Sequence, residues 1–284
     1  MVVSVDTSVV DVHFPADAPA HAVGHRALAV ALSDLAAMGA QSRWCLMALA
    51  LDQRTWGDAV RGRAWMQAYS DGFLSLCAHH DTGLVGGDIT AGQLAISVTV
   101  MGEVASGQAL TRHGARPGDI IAVTGALGGG AGGLSLWQQG ERDLAHPLVR
   151  RYLLPTPRLA AGQALTGLAS AALDISDGLL ADLGHLRRAS GVGAELDADA
   201  LPLAEGLQEA LGQSGARQAA LSGGDDYELL LGLPPDNLDI ARARLAAQGL
   251  ALTVIGRLTG APGVRGVTET GERGWQHFTG EAAP

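Results

Sequence analysis

The run Gly114-Ala115-Arg116-Pro117-Gly118-Asp119 constrains the fold of this chain more than any other stretch. Two glycines, a proline and an aspartate are turn-forming residues, and they stand directly ahead of an apolar, strand-like run at 120–124. A turn there divides the 284 residues into two parts of domain size, 1–115 and 116–284. Before it, apolar spacing predicts helices over 22–38 and 59–79 and strands over 44–51 and 94–103. After it, strands are expected at 120–124, 171–175 and 227–232, and helices at 134–138, 179–189 and 238–247. The expected class is α/β (α+β), with two domains built of packed layers.

With 47% apolar residues each part can bury a core of its own. The 40 glycines, against 4% aromatic residues, describe tight turns and places where backbone comes close to something, such as a phosphorylated ligand. Cys45 and Cys77 have neither CxxC nor zinc spacing, so they read as core residues of a protein in a reducing cytoplasm. The longest apolar stretch, 27–40, is interrupted by Ser33 and Asp34 and falls short of a membrane span, and no signal peptide is visible. A net charge of −10 without a Lys/Arg cluster argues against DNA or RNA as partner. An acidic chain that handles phosphates is expected to use metal ions against the repulsion.

The chemistry rests on aspartates in unusual places. Asp34 interrupts the apolar helix around Leu32-Ser33-Asp34-Leu35-Ala36-Ala37-Met38-Gly39, where an unpaired buried charge costs several kcal/mol, so a cation is expected beside it. Asp6 follows Val2-Val3-Ser4-Val5, and Asp88 follows Leu84-Val85-Gly86-Gly87; each is expected at the end of a strand, where ligands bind in many α/β folds. Asp174-Ile175-Ser176-Asp177-Gly178 puts two carboxylates three apart at a strand-to-helix junction. Ser176 or Asp177 is expected to cap that helix, which leaves Asp174 unexplained. Such scattered carboxylates suit magnesium, which keeps waters and substrate phosphates in its shell. His79 and His80 lack zinc spacing and read as helix-end residues. The glycine run 125–133 either offers amides to an anion or is a plain connection.

In order along the chain, Ser4-Val5-Asp6-Thr7 with His13-Phe14, Leu32 to Gly39, Gly86-Gly87-Asp88, Leu110-Thr111-Arg112, Asp174 to Leu179, and Ser222-Gly223-Gly224-Asp225-Asp226-Tyr227-Glu228-Leu229 resemble the motif series of the thiamine-monophosphate kinases. The resemblance implies a PurM-like N-terminal domain that pairs with its copy in a homodimer, and a C-terminal α/β domain closing over the active site between them. It implies that Ser4, Asp6, Asp34, Asp88, Asp174 and Asp177 hold several magnesium ions. By the same resemblance Gly87, Asp88, Arg112 and Ser176 contact ATP, while His13, Asp225 and Trp275 face thiamine monophosphate. The family usually carries Glu at the position of Asp225. It also carries a Gly-Asp-Asp segment ahead of the strand with which this sequence opens, so a further metal-ligating aspartate is expected there, and slower turnover without it.

The implied reaction needs no covalent nucleophile and no general base, because a phosphate monoester is already anionic at neutral pH. Direct transfer of the γ-phosphoryl group follows. The rival readings are another PurM-like ATP-dependent enzyme, of the selenophosphate or aminoimidazole ribonucleotide synthetase type, and a non-catalytic nucleotide-binding protein.

Overall fold

The computed structural model describes residues 1–52 and 58–267. The chain divides into two compact units, Met1–Ala109 with Leu153–Gln163, and Leu110–Tyr152 with the residues from Ala164 onward.

The first unit runs β1 (Val2–Val9), α1 (Ala20–Ala37), β2 (Gln41–Leu51), α2 (Ala59–His79), β3 (Gly83–Ala91) and β4 (Ala95–Glu103). Its sheet has the order β1-β4-β2-β3, with β3 alone parallel to its neighbour. Strand alternation gives the sheet two unlike faces. Ile96, Val98 and Val100 of β4 and Cys45 and Leu49 of β2 are buried, whereas Val3, Val5, Trp44 and Leu46 are exposed.

Helix α1 is buried on almost every side, from Ala22 to Ala37, because several elements cover it. The Gln163 side-chain amide donates to the Ala40 carbonyl just beyond its end, and the His25 ring bonds the Pro155 carbonyl. On another side α2 crosses α1 backbone to backbone. A Cβ added at Gly24 would lie 2.1 Å from the Tyr69 carbonyl oxygen, and one at Gly72 would lie 2.0 Å from that of His21. Only glycine permits this approach. Trp65, Tyr69 and Phe73 stack in series along α2, with ring centroids 5.3 and 6.1 Å apart. Asp58 starts that helix by accepting the amides of Val60 and Arg61, both at 2.8 Å.

The chain continues with β5 (Ile120–Thr124), α3 (Gly129–Gln138), α4 (Pro147–Leu153), α5 (Leu159–Leu165), β6 (Ala171–Asp174), α6 (Leu179–Ser190), β7 (Gly193–Leu196), α7 (Leu207–Ser222), β8 (Leu229–Leu233), α8 (Leu238–Ala246), β9 (Leu252–Thr259) and β10 (Val264–Arg265), all in the second unit except the end of α4 and most of α5, which belong to the first. The six strands of the second unit lie in the order β10-β7-β9-β5-β8-β6, antiparallel except for β10 and β7. Leu173, Ile175, Leu179, Leu183, Leu221 and Leu230 are among the residues that join α6 and α7 to this sheet in one core. Burying a leucine of this kind contributes about 1.5–3 kcal/mol. The core therefore fixes where β6 ends and α6 begins.

Two expectations about the aspartates change. Asp6 and Asp88 lie inside strands, not at strand ends. Polar Ser4, Asp6 and Ser8 alternate with Val3, Val5 and Thr7, so β1 continues through them to Val9. β3 runs on past Gly86-Gly87 because β2 offers it a ladder as far as Leu51.

Candidate functional site

In the first unit, Ser4 and Asp6 stand opposite Val100 and Val98, whose side chains are buried. They therefore share the covered face of the sheet. There the Ser4 hydroxyl donates to Asp34 Oδ2 at 2.5 Å, joining β1 to α1. All three residues are half-buried. Hydroxyl and carboxylate oxygens are the hard donors that magnesium prefers, so the chemistry of this set fits such an ion.

Asp88 sits elsewhere in the register. It pairs with Ala48, and Ala48 with Ser97, which in turn faces Thr7. That row belongs to the face opposite Ser4 and Asp6. Asp88 is exposed, and its Oδ1 accepts the Ile89 amide at 2.9 Å. Gly87 beside it has φ +154°, and an added Cβ would lie 1.9 Å from the Met47 carbonyl oxygen. Glycine is needed at this position for β3 to approach β2, whatever else it contacts. His13 follows β1 in a turn and accepts the Val9 amide on Nδ1 at 3.0 Å. The proton of the neutral ring is thus on Nε2.

In the second unit, the loop between β6 and α6 carries Asp174, Ser176 and Asp177, all half-buried. Neither Ser176 nor Asp177 caps α6. The N-cap is Gly178, at φ 115°, with no side-chain cap bond. Instead Asp182, in the first turn of the helix, turns back so that its Oδ2 accepts the amides of Ser176, Asp177 and Gly178, each at 3.1 Å. Burial, followed by the nearby carboxylates of Asp174 and Asp177, pushes the Asp182 carboxyl up to about 8. Ser176 thus has its amide engaged within the loop.

The segment 222–228 lies along the other side of this loop. Asp225 and Tyr227 donate their amides to the carbonyls of Ser176 and Ile175, both at 2.9 Å, and Ile175 donates to Glu228 at 2.8 Å. Gly224 is required by this contact, since a Cβ there would lie 2.5 Å from the Ser176 carbonyl oxygen. Asp225 and Tyr227 have φ +68° and +51°, strained for residues other than glycine, and the Tyr227 hydroxyl donates to Asp225 Oδ1 at 2.8 Å. Arg112 is exposed on the same unit, its carbonyl accepting the Ser190 hydroxyl. Burial first, then the charges of Arg188 and Arg112, hold the His185 ring below its usual range, with Asp177 acting against them. Asp174, Ser176, Asp177 and Asp225 are therefore gathered on one loop pair, while the Arg112 backbone is held at the far end of α6, by Ser190. Trp275 lies outside the described residues.

The glycine run does not present itself to an outside anion. The amides of Gly128 and Gly130, at the start of α3, are taken at 2.8 and 3.2 Å by the buried carboxylate of Asp226. Next to it, Glu228 accepts the Thr124 hydroxyl at 2.8 Å and lies 3.8 Å from the Arg151 guanidinium. Asp182 was not among the residues singled out in the sequence, and Asp226 and Glu228 stand in the Ser222–Leu229 motif without an assigned role. Asp182 shares the signal that marked Asp34, an acid among apolar residues of a helix. Within either unit, no group of three or more His, Cys, Asp or Glu side chains among the described residues is arranged as a metal site.

Two family models cover the chain. AIR synthase related protein, N-terminal domain, matches residues 1–104, and AIR synthase related protein, C-terminal domain, matches 116–269. The thiamine-monophosphate kinase of Salmonella typhimurium is 42% identical over 266 residues, 91% of this chain and 79% of that one. Among solved structures, thiamine-monophosphate kinase from Stenotrophomonas maltophilia has a TM-score of 0.86 at 47% identity, covering 93% of this chain and 84% of that one. AaThiL complexed with AMPPCP and TMP also reaches 0.86, at 32% identity, over 97% of this chain and 86% of that one. The order of the motifs, the PurM-like two-domain fold and this identity along most of the chain agree: the chain belongs to the thiamine-monophosphate kinase family.

Proposed function

We propose that this chain transfers the γ-phosphoryl group of ATP to the phosphate of thiamine monophosphate, giving thiamine diphosphate and ADP. The observation that carries the reading is the loop pair around Asp174–Gly178 and Asp225–Glu228, held by backbone bonds at 2.8–2.9 Å, in a chain 42% identical to a thiamine-monophosphate kinase.

The carboxylates of Asp6, Asp34, Asp88, Asp174 and Asp177, with the Ser4 hydroxyl, hold magnesium in this reading. Magnesium, when bound, neutralises charge on the phosphates and on the loose transition state. The remaining work belongs to the chain. Arg112, Ser176, Gly87 and Asp88 position the nucleotide. His13, through Nε2–H, and Asp225 face thiamine monophosphate, and Trp275 is assigned to the same substrate. Asp225 receives the Tyr227 hydroxyl, which fixes its orientation. The acceptor oxygen is ionised near pH 7, so no residue has to remove a proton and transfer proceeds without a phosphoenzyme.

The exposed apolar face of the first sheet, with Val3 and Val5 at 54% and 62% and Trp44 at 40%, supports pairing with a second copy of the chain. The free, buried thiols of Cys45 and Cys77 suit the cytoplasm. Among the described residues no helix is long and apolar enough to cross a membrane. A coupled assay of ADP release tests the function: release must depend on magnesium and on thiamine monophosphate together. ADP release independent of thiamine monophosphate, or nucleotide binding without release, would refute it.

A further inference from the structure

Asp182 has no role in the reading above, yet it is buried in the second unit, with 4% of its surface exposed. Three successive amides converging on one oxygen form the kind of concavity that elsewhere receives a phosphate oxygen. Here the occupant is the chain's own carboxylate. The amides it takes, from Ser176, Asp177 and Gly178, lie ahead of α6, whose first residue is Leu179. Its bonds therefore shape the loop rather than cap the helix. On the opposite side, the carbonyls of Ile175 and Ser176 are held by the amides of Tyr227 and Asp225. The loop is fixed from both sides, and the Asp182 side chain makes the three bonds on its own side. Its place beside Asp174 and Asp177 is electrostatically unfavourable, so helix formation alone does not account for it.

We propose that Asp182 is a positioning residue: by holding the amides of Ser176, Asp177 and Gly178 it sets the loop geometry from which the Asp174 and Asp177 carboxylates and the Ser176 hydroxyl engage the magnesium-nucleotide. This rests on the kinase reading of that loop. Asp182→Ala removes all three bonds; Asp182→Asn keeps the shape and one acceptor oxygen.

Three quantities are measured on the full chain: binding of Mn²⁺ and of a fluorescent ATP analogue titrated with magnesium, the KM values for both substrates, and the thermal midpoint. For Asp182→Ala the half-saturating magnesium concentration should rise at least about tenfold, within the range typical of residues that orient metal ligands. The KM for thiamine monophosphate should stay within about twofold. Asp182→Asn should recover part of the loss, and its comparison with the parent decides the matter if Asp182→Ala does not fold. Metal and nucleotide binding unchanged in a folded Asp182→Ala, or in Asp182→Asn where the alanine variant is unfolded, would overturn the proposal. So would weakened binding matched by equal weakening for thiamine monophosphate. If the parent releases no ADP, the kinase reading fails, and the magnesium-linked nucleotide titration still decides the role of Asp182.

Discussion

The buried Asp226 carboxylate makes the stability of the second unit depend on pH in a way one substitution should erase. Asp226 is 9% exposed and caps α3 through Gly128 and Gly130. Burial raises its pKa from 3.8 to about 7, with Glu228 adding to the rise and the two amide bonds and Arg151 opposing it. The unfolded chain ionises this group near 3.8 and the folded chain near 7. Between those values the folded state binds more protons, so stability falls as pH rises and levels off above about 7. From pH 6 to pH 8 a single group with these two pKa values removes about 1.4 kcal/mol. Asp226→Asn is neutral throughout and lacks this slope. Its amide still accepts one glycine N–H while its NH₂ faces the other, a constant loss of about 1–3 kcal/mol independent of pH. Urea unfolding of both proteins at pH 6, 7 and 8 reads the difference directly, since the other titrating groups cancel. The variant should gain on the parent by about 1.4 kcal/mol across that range. Parallel stability curves would refute the account of Asp226 as an acid kept in the core against its charge.

Asp34→Asn and Asp88→Asn should each lower turnover by at least about a hundredfold at saturating magnesium with unchanged circular dichroism, since each removes charge without changing volume; near-parent rates in either would remove that residue from the metal set. Free thiamine should not serve as acceptor, because its hydroxyl is not ionised near neutral pH, and equal rates with thiamine and its monophosphate would contradict direct attack by a phosphate oxygen. Gly72→Ala places a Cβ 2.0 Å from the His21 carbonyl oxygen, so it should destabilise the first unit by about 1–3 kcal/mol as α1 and α2 separate; an unchanged thermal midpoint would show that the helices do not cross there.

The elements that could be read from the sequence were those whose period no other influence disturbs. α2 and β5 have the bounds their apolar spacing predicts, Ala59–His79 and Ile120–Thr124. α3 begins at Gly129, five residues before the expected start, although glycine is a poor helix former. A carboxylate nearly 100 residues away caps that first turn, and no local pattern reports it. β3 is hidden for a related reason. Its glycines and aspartate lower strand propensity, and pairing with β2 overrides it. α7 is broken by Gly212 at φ 69°, so its apolar period does not run through. The segment Leu153–Gln163 joins the first unit through His25 and Ala40, contacts that the spacing of its own residues does not encode.

The site was legible as a set of residue types and not as a hydrogen-bond plan. Spacing singled out Asp34, Asp174 and Asp177, but a rule of local capping assigned Ser176 or Asp177 to the start of α6, and the structure gives that end of the loop to Asp182 instead. The glycine run shows the same mismatch. Composition presents it as a cradle for an anion from outside, while Asp226 already fills it. These two acids share a consequence for the chemistry. In the second unit the amide concavities of the loop before α6 and of the turn before α3 are satisfied internally, so neither supplies the positive potential that a P-loop offers a phosphate. A chain of net charge −10 that closes those two sites with its own carboxylates must meet a polyphosphate with something else. Arg112 and the cations recruited by Ser4, Asp6, Asp34, Asp88, Asp174 and Asp177 are what the proposed function leaves for that task, and this is why its rate should depend so steeply on magnesium.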